Sequence, residues 1–195
     1  LLQRFGQTEN GPLSGPTRTV AYLQNLPPDQ IDLVIEFGEW PIRANHELGM
    51  EIFLTDTENA ETLPRPRVLG FLEKIDTTLA IHYLEHAINE WNDMTPDIHQ
   101  RLLILYLGQL TSNKGEWKDK FLTMLKESEQ YSPAKMLDRL DREGMFSTAH
   151  TGQYSSLSDP NFYEARAILF SKMGQHRQAL EIYVFKLEDH EKAEE

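Results

Sequence analysis

His82 and His86 stand four residues apart, one helical turn, a spacing at which two imidazoles on one helix face can chelate a metal ion. The segment reads His82-Tyr-Leu-Glu-His86. It lacks the glutamate directly after the first histidine that serves a zinc hydrolase as general base, and no third ligand lies nearby in sequence. Both fall on the polar side of their helix, so they read as solvated surface residues. His46, His99, His150, His176 and His190 share no ligand spacing. Glu58, Glu61, Glu85, Glu90, Glu127 and Glu129 could do acid–base work only as a pair flanking one pocket with separated pKa values. In a chain with 31 acidic side chains they read as solvated faces. Ser147 and His150 lie in a run of small polar residues, and no Gly-x-Ser-x-Gly elbow exists. Gly6, Gly11 and Gly15 make no phosphate cradle, because no Gly-Lys-Ser/Thr follows them. Cysteine is absent, which removes disulfides, thiolate zinc sites and a cysteine nucleophile. The expectation is a protein that is not an enzyme and holds no metal or cofactor.

The elements that would position any site are helical. Thr95-Pro96, Ser132-Pro133 and Asp159-Pro160 each set a capping side chain before a proline at the first helical position, where the missing N–H is harmless. Pro28 and Pro64 can do the same, and Asp76 caps without proline. These signals and the apolar spacing predict helices over 18–26, 29–40, 46–54, 64–74, 77–91, 96–111, 116–130, 133–141, 160–173 and 176–188. No stretch sustains the period-two alternation of a strand. Residues 1–17 read as the tail of an earlier helix and a Gly/Pro linker, 18–141 as a helical array, 142–159 as a loop, and 160–195 as a helix pair folded at Gly174 with the start of a further helix.

Leu79, Ala80, Tyr83, Leu84, Ala87, Ile88 and Trp91 form one stripe. Ile98, Leu102, Leu103, Leu105, Tyr106, Leu107 and Leu110 cover more than half of the next helix, as expected for a helix packed between neighbours. The link between the two is only about four residues, which favours an antiparallel hairpin. Gly49-Met-Glu-Ile-Phe53 and Ala179-Leu-Glu-Ile-Tyr183 repeat a small residue followed one turn later by an aromatic, so that helices approach at one and fill space with the other. The expected fold is all-α, an α-solenoid of antiparallel helix pairs, whose units bury their apolar faces only by stacking. Trp40, Phe53, Tyr83, Trp91, Tyr106, Phe170 and Tyr183 read as core. Trp117, Phe162, Tyr163 and Phe185 are less clearly inward, and exposed aromatics are common binding anchors.

The bulk properties narrow the partners. With 195 residues and 39% hydrophobic content the chain can bury a core or about five helix pairs. Nineteen basic against 31 acidic side chains give a net charge of -12, which repels phosphate backbones and anionic lipid. No apolar run approaches the length of a membrane span. The first residue is Leu1, and the expectation is a piece of a longer protein.

Three ordered segments carry a family resemblance: Glu39-Trp-Pro-Ile-Arg-Ala-Asn-His-Glu-Leu-Gly-Met-Glu-Ile-Phe53, Leu63-Pro-Arg-Pro-Arg-Val-Leu-Gly-Phe-Leu72 and Leu79-Ala-Ile-His-Tyr-Leu-Glu-His86. Together with Leu169 to Glu195 they resemble the vacuolar sorting and morphology subunit of the HOPS tethering complex. The resemblance implies a C-terminal stretch of clathrin-heavy-chain-type helical repeat, cytoplasmic and peripheral on late endosome, lysosome or vacuole membrane. It implies docking onto another core subunit through the C-terminal region, with a Rab GTPase contact only through parts outside these residues, and no nucleic acid or membrane insertion. On that implication the outer side of the last helix pair is the expected partner surface: Phe162, Tyr163, Arg166, Arg177, Phe185 and Glu188. The alternatives are the paralogous subunit of the early-endosomal CORVET complex and a tetratricopeptide-like peptide-binding module. The latter would need a basic carboxylate clamp, and the acidic balance counts against one.

Overall fold

A computed structural model describes residues 15–111, 117–151 and 160–187. Eleven α-helices follow in chain order among them: α1 (Thr17–Gln24), α2 (Ile31–Ala44), α3 (His46–Leu54), α4 (Glu58–Glu61), α5 (Arg65–Ile75), α6 (Thr77–Asn89), α7 (Pro96–Thr111), α8 (Trp117–Glu127), α9 (Pro133–Thr151), α10 (Pro160–Lys172) and α11 (His176–Ile182). A 3-10 turn over Pro28–Gln30 leads into α2, and a π-helical turn over Tyr183–Leu187 continues α11. No strand occurs among the described residues. The fold is an all-α solenoid.

Side-chain caps start several helices. Asn45 Oδ1 accepts from Leu48 N–H at 3.0 Å, Thr57 Oγ1 from Ala60 N–H at 3.3 Å, and Asp76 Oδ1 from Thr78 N–H at 2.7 Å. Asn45 is extended (φ -153°), so one residue ends α2 and caps α3.

The chain divides into two compact units, residues up to Asp93 and residues from Met94. In the first, α1 packs on α2 and α3, α2 on α5, α3 on α6, and α5 on α6. Its centre is an aromatic line: Phe71 to Phe53 at 5.9 Å, Phe53 to Tyr83 at 6.5 Å and Tyr83 to Trp91 at 6.1 Å between ring centroids. Gly49 is where α3 meets α2. A Cβ there would lie 2.7 Å from Ile42 N and from Ile42 Cγ1, and closer still to Ile42 Cα. In the second unit α7 packs on α8 and α9, and α10 lies against α8, α9 and α11. Its core is built from Leu102, Leu103, Leu107, Phe121, Leu125, Met136, Leu140 and Leu169. Within each unit the helices thus pack on elements close to them in sequence, as solenoid repeats do.

Several boundaries differ from the sequence reading. The predicted loop over 142–159 is helical as far as Thr151, because neither Gly144 nor the small polar residues after it supply a stop; residues 152–159 fall outside the described residues, as do 1–14. Helix α2 runs through Pro41 to Ala44. Pro41 forfeits one intrahelical bond, but Pro41 and Ile42 are both buried, and packing outweighs the break. The short α4 was not anticipated. Trp117 is buried against Tyr106, with ring centroids 6.0 Å apart. Trp40, Trp91, Phe170 and Tyr183 are half-buried rather than core.

Candidate docking surface

Gly174 makes the last helix pair. Its φ of +72° is the left-handed region that favours glycine. Its N–H donates to Ser171 O at 2.9 Å while Gln175 N–H reaches back to Phe170 O at 2.8 Å. Those two bonds form a Schellman motif, which closes α10 and reverses the chain into α11.

Helix α10 is an inner element. Ala165, Ala167, Ile168 and Leu169 are all buried and face different directions around the helix, so the two alanines admit neighbours on more than one side. Three polar ties fix it. Lys126 Nζ donates to Glu164 Oε1 at 3.2 Å, Arg166 Nη2 to Asp141 Oδ1 at 2.6 Å, and Lys172 Nζ to the Ser128 carbonyl at 2.7 Å. Lys172 also lies over the Tyr131 ring, 5.4 Å from its centroid. Burial lowers the Lys172 pKa, with the Glu129 charge acting against that. The Tyr131 hydroxyl donates to Leu125 O at 2.7 Å, and burial raises its pKa.

The expected partner residues therefore separate. Arg166 turns inward, its side chain only 15% exposed, and its Nε is buried with no hydrogen-bond partner among the described residues. It positions α10 on α9 and does not belong to an exposed side. Phe162 and Tyr163 are half-buried on the first turns of α10. Arg177 is exposed and pairs with Glu181 one turn on, at 3.2 Å. Phe185 is 75% exposed, in the π-helical turn. Glu188 lies outside the described residues. Sequence reasoning missed Leu180, 43% exposed and between Arg177 and Glu181 on the outward side of α11; its signal was the i, i+3, i+4 spacing of 177, 180 and 181.

The atoms with chemical potential serve elsewhere. His99 Nδ1 and Ser128 Oγ share a hydrogen bond of 2.7 Å, a nucleophile–base pair in kind, but both side chains are buried and bind α7 to the α8–α9 loop. His86 is not a solvated residue as its polar-face position predicted. It stands edge-on to Trp91 at 4.7 Å, with its Nε2 3.7 Å from Asp56 Oδ1, while His82 is exposed. Arg65 lies over Trp91 at 4.9 Å and donates to Asp93 at 2.5 Å, tying the start of α5 to the segment that follows α6. No group of three or more histidines and carboxylates close enough to hold a metal occurs among the described residues. No described helix is long and apolar enough to cross a membrane.

A helical array with an inner helix clamped in place and apolar side chains left on the outer one belongs to the class of α-solenoid repeat proteins. Comparison with known proteins gives the family. The chain is 34% identical over 209 residues to the Vam6/Vps39-like protein of Homo sapiens, covering 95% of this chain and 22% of that protein. It is 32% identical over 205 residues to the vacuolar protein sorting-associated protein 39 homolog of Drosophila melanogaster, covering 99% and 22%. It is 25% identical over 177 residues to the human transforming growth factor-beta receptor-associated protein 1, covering 84% and 18%. The chain belongs to the Vam6/Vps39 family of vacuolar-sorting proteins, as the resemblance over Glu39–Phe53 and Leu79–His86 implied. It spans about a fifth of the length of these relatives, 22% for the first two. No family model matches the chain, and no solved structure matches it.

Proposed function

We propose that this region is a non-catalytic docking scaffold of a multisubunit tethering complex of the HOPS type, acting where late endosomes meet lysosomes or vacuoles. It holds another core subunit through the outward side of α11 and the π-helical turn. The observation that carries this reading is the pair Leu180 and Phe185, 43% and 75% exposed on the outer element of a helix pair whose inner element is clamped. Large apolar side chains ringed by charges such as Arg177 and Glu181 suit a subunit interface, where a few buried anchors supply most of the affinity. Short π-helical turns also recur at functional sites. The second reading, a subunit of the early-endosomal complex, draws on the likeness to the receptor-associated protein; the higher identity and coverage of the Vam6/Vps39 relatives favour the first.

The test is binding of the whole chain to each purified core subunit, with Leu180→Asp and Phe185→Asp introduced together. Removing such anchors costs about 2 kcal/mol or more, roughly a thirtyfold loss of affinity. Unchanged affinity for every subunit, in a variant with unaltered circular dichroism, would overturn the assignment.

A further inference from the structure

A second surface lies in the first unit, independent of the C-terminal pair. Ile35 of α2 and Pro66, Arg67, Gly70, Phe71 and Lys74 of α5 line an open, mainly apolar groove of about 290 Å³. That is at or below the small end of ligand cavities, so it suits one or two side chains of a macromolecule rather than an enclosed metabolite. Pro66, Gly70 and Lys74 form an i, i+4, i+8 row, a helix ridge whose middle knob is missing. The ridge of another helix seats its knobs in such a gap.

Gly70 has no packing reason to be glycine. A Cβ at Gly49 would strike Ile42, but a Cβ at Gly70 would meet nothing within 4 Å. An exposed glycine inside a helix is less stable than alanine by about 0.5–1 kcal/mol and allows close approach of another backbone. Charge frames the gap. Arg67 and Lys74 stand seven residues apart on one face, about 10 Å along the axis. Arg67 pairs with Asp32, both side chains more than half exposed, a weak and displaceable contact. Lys74 is exposed. The chain as a whole carries -12, yet the two charged side chains that line the slot, Arg67 and Lys74, are both basic. At physiological salt the screening length is about 8 Å, so a ligand in the slot meets chiefly the charges beside it: Lys74, and Arg67 once it is released from Asp32.

We propose that this groove receives an acidic amphipathic helix of a partner protein. One apolar side chain sits over Gly70 against Ile35 and Phe71, and carboxylates a turn to either side meet Lys74 and Arg67. The test is selection of a displayed library of randomised helices on the whole 195-residue chain, with counter-selection on Gly70→Leu, which fills the gap from an exposed position. Expected winners carry an apolar residue flanked by Asp or Glu, and as synthetic peptides they bind Gly70→Leu at least tenfold more weakly. Lys74→Glu weakens them by a similar factor, and a lysine at the matching peptide position restores binding. Neutral or basic winners, no enrichment over the counter-selection, or equal affinity for Gly70→Leu would overturn the proposal. So would a chain whose self-association, rather than its peptide binding, responds to Gly70→Leu, since the occupant would then be a second copy.

Discussion

Replacing Gly49 with alanine tests how closely α2 and α3 approach. The added Cβ would stand 2.7 Å from Ile42 N and Cγ1, where non-bonded carbons settle at about 3.5–4.0 Å. The helices must separate by roughly 1 Å at that point, because backbone atoms cannot rotate aside as a side-chain tip does. Ile42 is fully buried, so the displacement cannot be relieved into solvent. Overpacking of this kind costs about 1–3 kcal/mol, and a clash with backbone belongs at the upper end. Alanine returns about 1 kcal/mol through its better helix propensity. The net expectation is a loss of about 2 kcal/mol, a fall of about 10 °C in the melting temperature of a unit this size.

Because the two units need not unfold together, the assay is urea unfolding followed by hydrogen exchange on peptides from residues 31–89. Gly70→Ala is the control. Its Cβ meets nothing within 4 Å, so that variant should gain about 0.5–1 kcal/mol. If Gly49→Ala is as stable as the parent, or both variants shift in the same direction, the close approach is not what requires glycine at 49.

Two further predictions concern the turn and the alkaline limit. Gly174→Ala forces a residue with a Cβ to φ +72°, at about 1 kcal/mol or more; amide exchange at 174 and 175 should quicken while residues 31–89 stay unchanged, and equal protection at the turn would refute the role given to it. Burial raises the Tyr83 pKa from 10.0, with Arg65 pulling it back. The folded unit therefore keeps a proton that the unfolded chain gives up near pH 10.0, and stability present below that pH is lost as the pH climbs towards the raised folded value. Unfolding free energy of the first unit should fall above pH 10, less steeply in Tyr83→Phe; parallel slopes for the two proteins would refute it.

Local signals were readable where one residue settles the matter. Asp76 and the Thr95-Pro96 and Ser132-Pro133 pairs mark helix starts within about a residue, because a cap needs only its own turn. Gly49 stood out as a small residue one turn before Phe53. What could not be read required knowing what lies across the chain. Ser128 and His99 are 29 positions apart and carry no local mark of their pairing. Arg166 looked like surface because charge usually is, yet Asp141 on another helix compensates its burial. His86 and Ile81 sit off the apolar stripe of α6, but α3 and α5 both pack on that helix, and two neighbours bury more than one stripe.

The same ties decide how the docking surface has to be tested. Removing residues 160–188 takes away the partner of Lys126 and of Asp141 and uncovers the faces of α8 and α9 on which α10 rests. Binding lost in that truncation would report a disturbed second unit as readily as a missing interface. Leu180 and Phe185 escape the ambiguity. They project from α11 and the π-helical turn into solvent, where substitutions usually change stability by no more than about 0.5 kcal/mol. A thirtyfold loss of affinity is about 2 kcal/mol, well outside that margin. An aspartate at these positions therefore separates docking from folding, which no deletion of the pair can do.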